Sequence, residues 1–339
     1  MMSEMKNLPK IPASEFAFVG DEGRLHDKKL ETKPVGYFKD AMIRFCKNKS
    51  SVVAAYIILF LVLYAIFVPI FCETTYSRAL TDTTYLMYTK LPPKVEGMGW
   101  LGMDGTGNVT VNEADYNTMR ALAQETGLDP VLEVYRAAYT DPTSSSKTTF
   151  YDLKVDNYYR MGMAYLTLTP DEFESIQAWQ DETGIQVIYP AITDTRQSDA
   201  NIWYEANRKG VATLDDEGNF QPIYKTTTPT DTTYHSLRIA ADNDPERPLA
   251  YARVGGTSSA PSYVVRVCKY TYFQYRYGFE PAFVFGTNAK GQDIFTRLAA
   301  GARFSFLLAI SISAINLFIG AIYGAIEGYY GGAVDLVME

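Results

Sequence analysis

The stretch Ser51–Phe71, "SVVAAYIILFLVLYAIFVPIF", carries no charged residue over its whole length. At about 1.5 Å per residue, a helix of this length matches a hydrocarbon core of about 30 Å. It lies too far from Met1 and runs too long to be a cleaved secretory leader. A second uncharged run, Phe304–Ile326, "FSFLLAISISAINLFIGAIYGAI", is also long enough to span. Its length argues against the alternative of a buried globular helix. The bulk composition, 47% hydrophobic and 21% charged, looks soluble because a long polar segment separates the two runs.

Charge orients the first run. Lys28, Lys29, Lys33, Lys39, Arg44, Lys47 and Lys49 precede it, against Glu31 and Asp40 over the same stretch, and Glu73 opens an acidic region after it. The positive-inside bias places the N-terminus in the cytoplasm, residues of about 73–300 outside, and the second span returning inward. Residues 73–283 hold 28 Asp/Glu and 18 Lys/Arg, a net −10 that exceeds the whole chain's −8 because the remaining segments together are slightly basic. That balance disfavours nucleic acid as a partner, since it repels phosphates.

The three cysteines form no framework. Cys46 falls on the cytoplasmic side, so only Cys72 and Cys268 share a compartment in which to pair. Two inert thiols are the preferred reading and a disulfide the alternative. His26 and His235 stand alone, and no metal-ligand spacing or cofactor motif appears.

The chain divides by composition. Residues 1–35 form a polar, flexible cytoplasmic tail. Residues 36–50 read as a basic amphipathic lead-in, with Tyr37, Phe38, Ala41, Met42 and Phe45 on one face and Lys39, Arg44, Lys47 and Lys49 able to reach lipid phosphates. Continuation of the membrane helix is the alternative. A first span over 51–72, an insert over 73–283, an interfacial motif and helix over 284–303, a second span over 304–326 and a cytoplasmic segment over 327–339 complete the division.

Within the insert, "EADYNTMRALAQETG" and "TPDEFESIQAWQDETG" read as helices ending at Gly127 and Gly184, where glycine suits a left-handed C-cap. Thr169, Pro170 and Glu172 make a full start signal for the second. The shared Glu-Thr-Gly endings lie 57 residues apart. Common helix grammar is the preferred cause and internal duplication the alternative. "MAYLTLT" and "IQVIYP" read as strands, "NIWYEANRKGVATL" through "NFQPIYK" as hairpin material, and "SYVVRVCKYTYFQYRYGF" as one long aromatic-rich strand. The insert is therefore expected to be an α+β domain.

The chain carries few motifs that point to chemistry. Asp104, Thr106 and Glu113 fall at calcium-loop positions around Gly107, but Gly102 replaces the first ligand and no helix precedes the loop. A glycine-rich turn before a helix explains them as well, and no metal is expected. No phosphate-binding G-x-x-x-x-G-K-[ST] loop, no G-x-S-x-G and no Ser/His/Asp arrangement occurs, so neither ATP chemistry nor other catalysis is assigned to this chain. In the second span Gly320, Gly324 and Gly328 recur at intervals of four, letting another helix approach closely. Ser311, Ser313 and Asn316 add polar groups suited to a protein-facing or water-lined surface, a helix-packing or translocation path.

Three motifs, in order, resemble the C-type permease subunits (OppC/DppC) of bacterial oligopeptide and dipeptide ABC importers. Phe285-Gly286-Thr287-Asn288-x-x-Gly291-Gln292-Asp293, continued by Arg297 and Gly301-Ala302-Arg303, resembles that family's external L-G-T-D-x-x-G-R-D motif. Glu327, Gly328, Tyr329, Tyr330, Gly331, Gly332 and Asp335 resemble its inner-end A-G-Y-Y-G-G-x-V-D. "RFCKNKS" resembles its N-terminal segment. The chain departs from the family at Asn288 and Gln292, where Asp and Arg are usual. If those two pair in relatives, an uncharged hydrogen bond replaces the ion pair here. It also departs in size, because the family's external segment is much shorter. The resemblance covers about 36–100 and 280–339.

The resemblance implies an α-helical membrane protein holding two transmembrane helices of an expected six, with a large α+β extracellular insert. It implies a multi-pass peptide-import permease in the cytoplasmic membrane, with no covalent chemistry and no cofactor of its own. The implied partners are a second permease subunit, two cytoplasmic ATPases, an extracellular peptide-binding protein and the lipid bilayer. Because the remaining helices and the ATPase-docking loop are missing before Glu339, an early-ending chain or fragment is expected. A membrane-anchored extracellular binding or sensor domain is the alternative.

Overall fold

The computed structural model describes residues 36–71, 87–140, 148–193, 199–208, 211–228, 230–235 and 248–332. The expected N-terminal tail, Cys72 and Asp335 lie outside them. Cys268 is buried with a free thiol.

Helix α1 (Tyr37–Lys47) buries none of its residues and ends at Asn48, which is extended at φ −88° and ψ 101°. The Asn48 side chain accepts from the amides of Ser50 (3.1 Å) and Ser51 (3.5 Å), starting helix α2 (Lys49–Phe71) afresh. A short polar acceptor at this position satisfies amides that a helix start leaves unpaired. The basic aromatic segment is therefore a separate helix and not a continuation of the apolar one.

The residues after α2 build an α+β arrangement of two sheets. Strands β1 (Thr106–Asn112), β2 (Val131–Thr140) and β3 (Thr149–Asp156) form an antiparallel sheet ordered β1-β3-β2. Helix α3 (Glu113–Thr126) packs on one face through Met119, against Val111, Leu153 and Val155. The second sheet holds β4 (Met163–Leu168), β5 (Ile188–Tyr189), β6 (Tyr234–His235), β7 (Ala252–Thr257) and β8 (Ala260–Cys268), with β8 beside β4 on one edge and β5 and β7 on the other. Helix α4 (Pro170–Thr183) covers it, Phe173 and Ile176 packing on Leu168, Ile188, Val265 and Val267.

The 57-residue spacing goes well beyond helix grammar. Met163 of β4 follows Thr106 of β1 by 57, Pro170 of α4 follows Glu113 of α3 by 57, and Ile188 of β5 follows Val131 of β2 by 57. Gly105 and Gly162, before the first strands, take φ of 80° and 73°. Thr126 and Thr183 each donate to the carbonyl four residues back at 2.7 Å, and each accepts from the amide two residues on. In both copies a third strand, β3 or β8, runs antiparallel between the first two. The domain contains a repeated β-α-β-β unit, the second copy opened by a long excursion between β5 and β8.

Two strand expectations need correction. The run after Cys268 is helix α5 (Lys269–Tyr277), capped by Gly278 at φ 76°. Its aromatics follow a helical spacing: Tyr270, Phe273 and Tyr277 meet the cluster of Tyr88, Leu91, Tyr158 and Phe283, while Tyr272 and Tyr275 turn to the α4 side. Packing on two faces overrides the β-propensity of tyrosine and phenylalanine. The segments expected as a hairpin over 201–225 do pair antiparallel about the Asp215–Gly218 turn, but as an irregular meander of isolated bridges, Tyr204–Pro222, Ala206–Ala212 and Leu214–Phe220, and not through continuous strands.

Candidate functional site

The glycine-punctuated motif before the last helix is where sequence expectation and geometry meet. Gly286 and Gly291 adopt φ of 71° and 76°. At Gly286 a β-carbon would stand 2.2 Å from the Leu91 carbonyl oxygen, so only glycine fits. That close approach sets up a short ladder: the Thr287 amide donates to Leu91 O (3.0 Å) and the Lys90 amide donates to Asn288 O (3.1 Å). The buried Thr287 hydroxyl donates to Tyr88 O and accepts from the Leu91 amide at 2.8 Å. The Lys94 amide donates to Phe283 O at 2.9 Å, and Tyr158 donates to Pro92 O at 2.8 Å. The segments on either side of the α+β domain, 88–94 and 283–288, are thereby stitched together.

Asn288 and Gln292 close the turn. Asn288 Oδ1 accepts from the amides of Lys290 (2.8 Å) and Gln292 (3.0 Å), an Asx-type turn. Asn288 Nδ2 donates to Gln292 Oε1 at 3.3 Å, and Gln292 is 2% exposed. These side chains make the uncharged contact that the sequence departure implied. Asp293 then caps helix α6 (Ile294–Tyr330): Oδ1 accepts from the Phe295 amide (3.1 Å), and Oδ2 from the Thr296 amide (3.2 Å) and hydroxyl (2.6 Å). An ionised acceptor at a helix start is favoured by the exposed amides and the helix dipole.

Helix α6 runs unbroken for 37 residues, about 55 Å, so the expected interfacial and spanning portions are one element. Its first turns pack on the end of α2. Tyr64 donates to Phe295 O at 2.6 Å and its ring meets Phe295 edge-on at 5.1 Å, while Ala65, Thr296 and Ala299 are buried. Beyond this contact the helix is nearly bare. Arg297, Gly301, Arg303, Ser313, Asn316, Gly320, Gly324, Gly328, Tyr329 and Tyr330 are exposed, Glu327 is half-buried, and Gly331 and Gly332 follow the helix end at positive φ. No neighbour lies within 4 Å of a β-carbon at Gly301, Gly320, Gly324 or Gly328. The Gly286–Asp293 turn is thus assembled against residues 88–94, whereas at the inner end Tyr329 and Tyr330 are exposed and pack edge-on against each other.

The calcium-like residues do not converge. Asp104 accepts from the Thr106 amide (3.0 Å) and hydroxyl (2.9 Å), which hold its carboxyl below the usual range. Glu113 stands beyond the far end of β1 as the first residue of α3. A seven-residue strand keeps the two about 20 Å apart. No cluster of three His, Cys, Asp or Glu suited to a metal occurs among the described residues.

What was not anticipated is the contribution of residues 88–94. Nothing in "YTKLPPK" marks it as the partner of a motif two hundred residues away. Its pairing uses backbone carbonyls and amides, which every residue carries.

Helices α2 and α6 are long and apolar enough to cross a membrane. Residues 36–93, which include the 88–93 half of the stitched junction, match the family described as the N-terminal TM domain of oligopeptide transport permease C. On these grounds the chain is a membrane protein whose residues 36–93 are similar to the N-terminal domain of that permease family.

Curated relatives agree with that class. The oligopeptide transport system permease protein OppC of Haemophilus influenzae is 50% identical over 54 residues, 16% of this chain and 17% of that protein. The dipeptide transport system permease protein DppC of Bacillus subtilis is 44% identical over 54 residues, with the same coverage. Bacillus subtilis OppC is 43% identical over 54 residues, 16% and 18%. The chain thus matches less than a fifth of the length of these relatives. No solved structure matches it.

Proposed function

We propose that this chain is a permease subunit of an ABC importer that moves oligopeptides or dipeptides across the cytoplasmic membrane. The observation that carries the reading is the match of residues 36–93 to the permease N-terminal domain, joined by backbone ladder to the Gly286–Asp293 motif. In this reading α1 lies on the cytoplasmic face, α2 and α6 span, and the α+β domain between them stands outside the cell. A second permease subunit packs on the exposed Gly320, Gly324 and Ser313, Asn316 surfaces of α6. Two cytoplasmic ATPases drive alternating access and an extracellular peptide-binding protein delivers the cargo. The α+β domain is a docking surface for that binding protein or a cover over the translocation mouth.

Co-purification from the native membrane tests this. The full chain is compared with a variant lacking residues 105–275, in which a short linker joins segments that already hydrogen-bond each other. Recovery of ATPase and second permease with both forms, and of the binding protein with the full chain alone, is expected. Unchanged retention of the binding protein removes the docking role. Absence of any ATPase from both forms overturns the permease reading.

A further inference from the structure

A cavity of about 150 Å³ lies on the face of the second sheet opposite α4. Its floor is set by strand register. Tyr234, Arg253 and Val264 form a row across β6, β7 and β8, and Tyr165 stands opposite Arg266 across β4 and β8. Ala191 and Ile192, just past β5, complete the wall.

The lining divides by chemistry. Ala191, Ile192, Val264 and the two tyrosine rings are apolar surface. Arg266 is 1% exposed and already committed, its guanidinium donating to Ala200 O, Pro190 O and the Glu125 carboxylate. Arg253 is exposed, and its guanidinium makes no ion pair or hydrogen bond among the described residues. The Tyr165 hydroxyl is buried without a partner. A buried hydroxyl left unpaired costs free energy, and such groups are ordinarily satisfied by water or a ligand. No carboxylate belongs to the described lining, so the cavity offers uncompensated positive charge and a spare hydroxyl inside a domain whose net charge is negative.

We propose that this cavity binds a small organic carboxylate with an apolar body the size of one amino-acid residue. Arg253 takes the carboxylate, for which a planar guanidinium fork is the matched donor. The Ile192, Val264 and Tyr234 walls take the hydrocarbon. The volume sets the limit, because a 150 Å³ apolar cavity accommodates a ligand about the size of benzene. Free amino acids and the C-terminal residue of a peptide share this chemistry. The inference stands on the sheet geometry alone and does not depend on the transport reading.

The test uses the full chain in lipid nanodiscs and isothermal titration calorimetry, with N-acetyl-L-leucine, its amide, free L-leucine, the tripeptide Ala-Ala-Leu and that tripeptide's amide as probes. At least one carboxylate probe is expected to bind, with its amide weaker by about tenfold or more, as loss of a charge-assisted contact implies. Arg253→Gln is expected to abolish the preference for acid over amide without shifting the melting temperature, and Arg253→Lys to retain part of it. Binding of the tripeptide together with N-acetyl-leucine assigns a peptide C-terminus, and binding of leucine alone assigns a free amino acid. Equal affinity for acid and amide, unchanged binding by Arg253→Gln, or no binding of any probe at millimolar concentration overturns the proposal.

Discussion

Gly286 concentrates the constraint on the junction into one missing methyl group. A β-carbon there meets the Leu91 carbonyl oxygen at 2.2 Å and a backbone carbon of Pro92 at 3.0 Å, on a residue at φ 71°. Gly286→Ala combines a disfavoured conformation with a backbone clash and is expected to cost about 3 kcal/mol, read as a lowered melting temperature in detergent. Gly301→Ala is the control, since nothing lies within 4 Å of a β-carbon in that helical position. It should be neutral or gain up to about 1 kcal/mol. Similar behaviour of the two variants would mean that the junction yields. The neighbouring Asn288–Gln292 contact allows a second test. Gln292 is almost fully buried, so Gln292→Arg alone places an uncompensated charge there. Combined with Asn288→Asp, which keeps the acceptor for the Lys290 and Gln292 amides, it should lose about 1–3 kcal/mol less than the two single losses added. Strict additivity would deny that this neutral pair occupies the place of an ion pair.

Helix boundaries were legible because their chemistry is local. Asn112 accepts from the Asp115 amide at 2.9 Å, and Thr169 makes a reciprocal capping box with Glu172. Asn112→Ala and Thr169→Ala should each cost about 1 kcal/mol in thermal denaturation, a matched pair as expected of equivalent positions in the repeat. A loss at one site only would show that the two caps are not energetically equivalent. The same locality limits what the sequence shows of the segment after β8. Over Lys269–Tyr277 the residues favour strands, and only the presence of packed surface on two sides makes a helix the better solution. Likewise the sequence shows the offset of the two Glu-Thr-Gly endings. It does not show that β3 and β8 each insert between the strands flanking a helix, which is a fact of long-range pairing.

Across the α+β domain, the two copies of the repeat are held to each other by a contact that no local pattern reveals. Glu125 and Glu182 occupy the same place in identical tripeptides. Glu182 is exposed, whereas Glu125 forms a buried ion pair with Arg266 of β8, 141 residues away. Tyr224 from the meander donates to the other carboxylate oxygen at 2.8 Å, and Arg266 also serves two backbone carbonyls of the excursion, Pro190 at 2.8 Å and Ala200 at 2.7 Å. One ion pair thus ties helix α3 of the first copy, strand β8 of the second and the excursion between β5 and β8. Removing either partner strands a charge in the interior. Glu125→Leu and Arg266→Met should each cost about 3–5 kcal/mol, the arginine variant also orphaning two carbonyls. The double variant buries neither charge and should be more stable than the sum of the single losses by about 2 kcal/mol or more, measured as a double-mutant cycle of thermal unfolding. If either single change costs less than about 1 kcal/mol, the pair is incidental and apolar packing holds the copies, Leu122 of the first clustering with Met163, Tyr189 and Cys268 of the second and Ala121 with Ile192, Trp203, Tyr204 and Phe220 of the excursion.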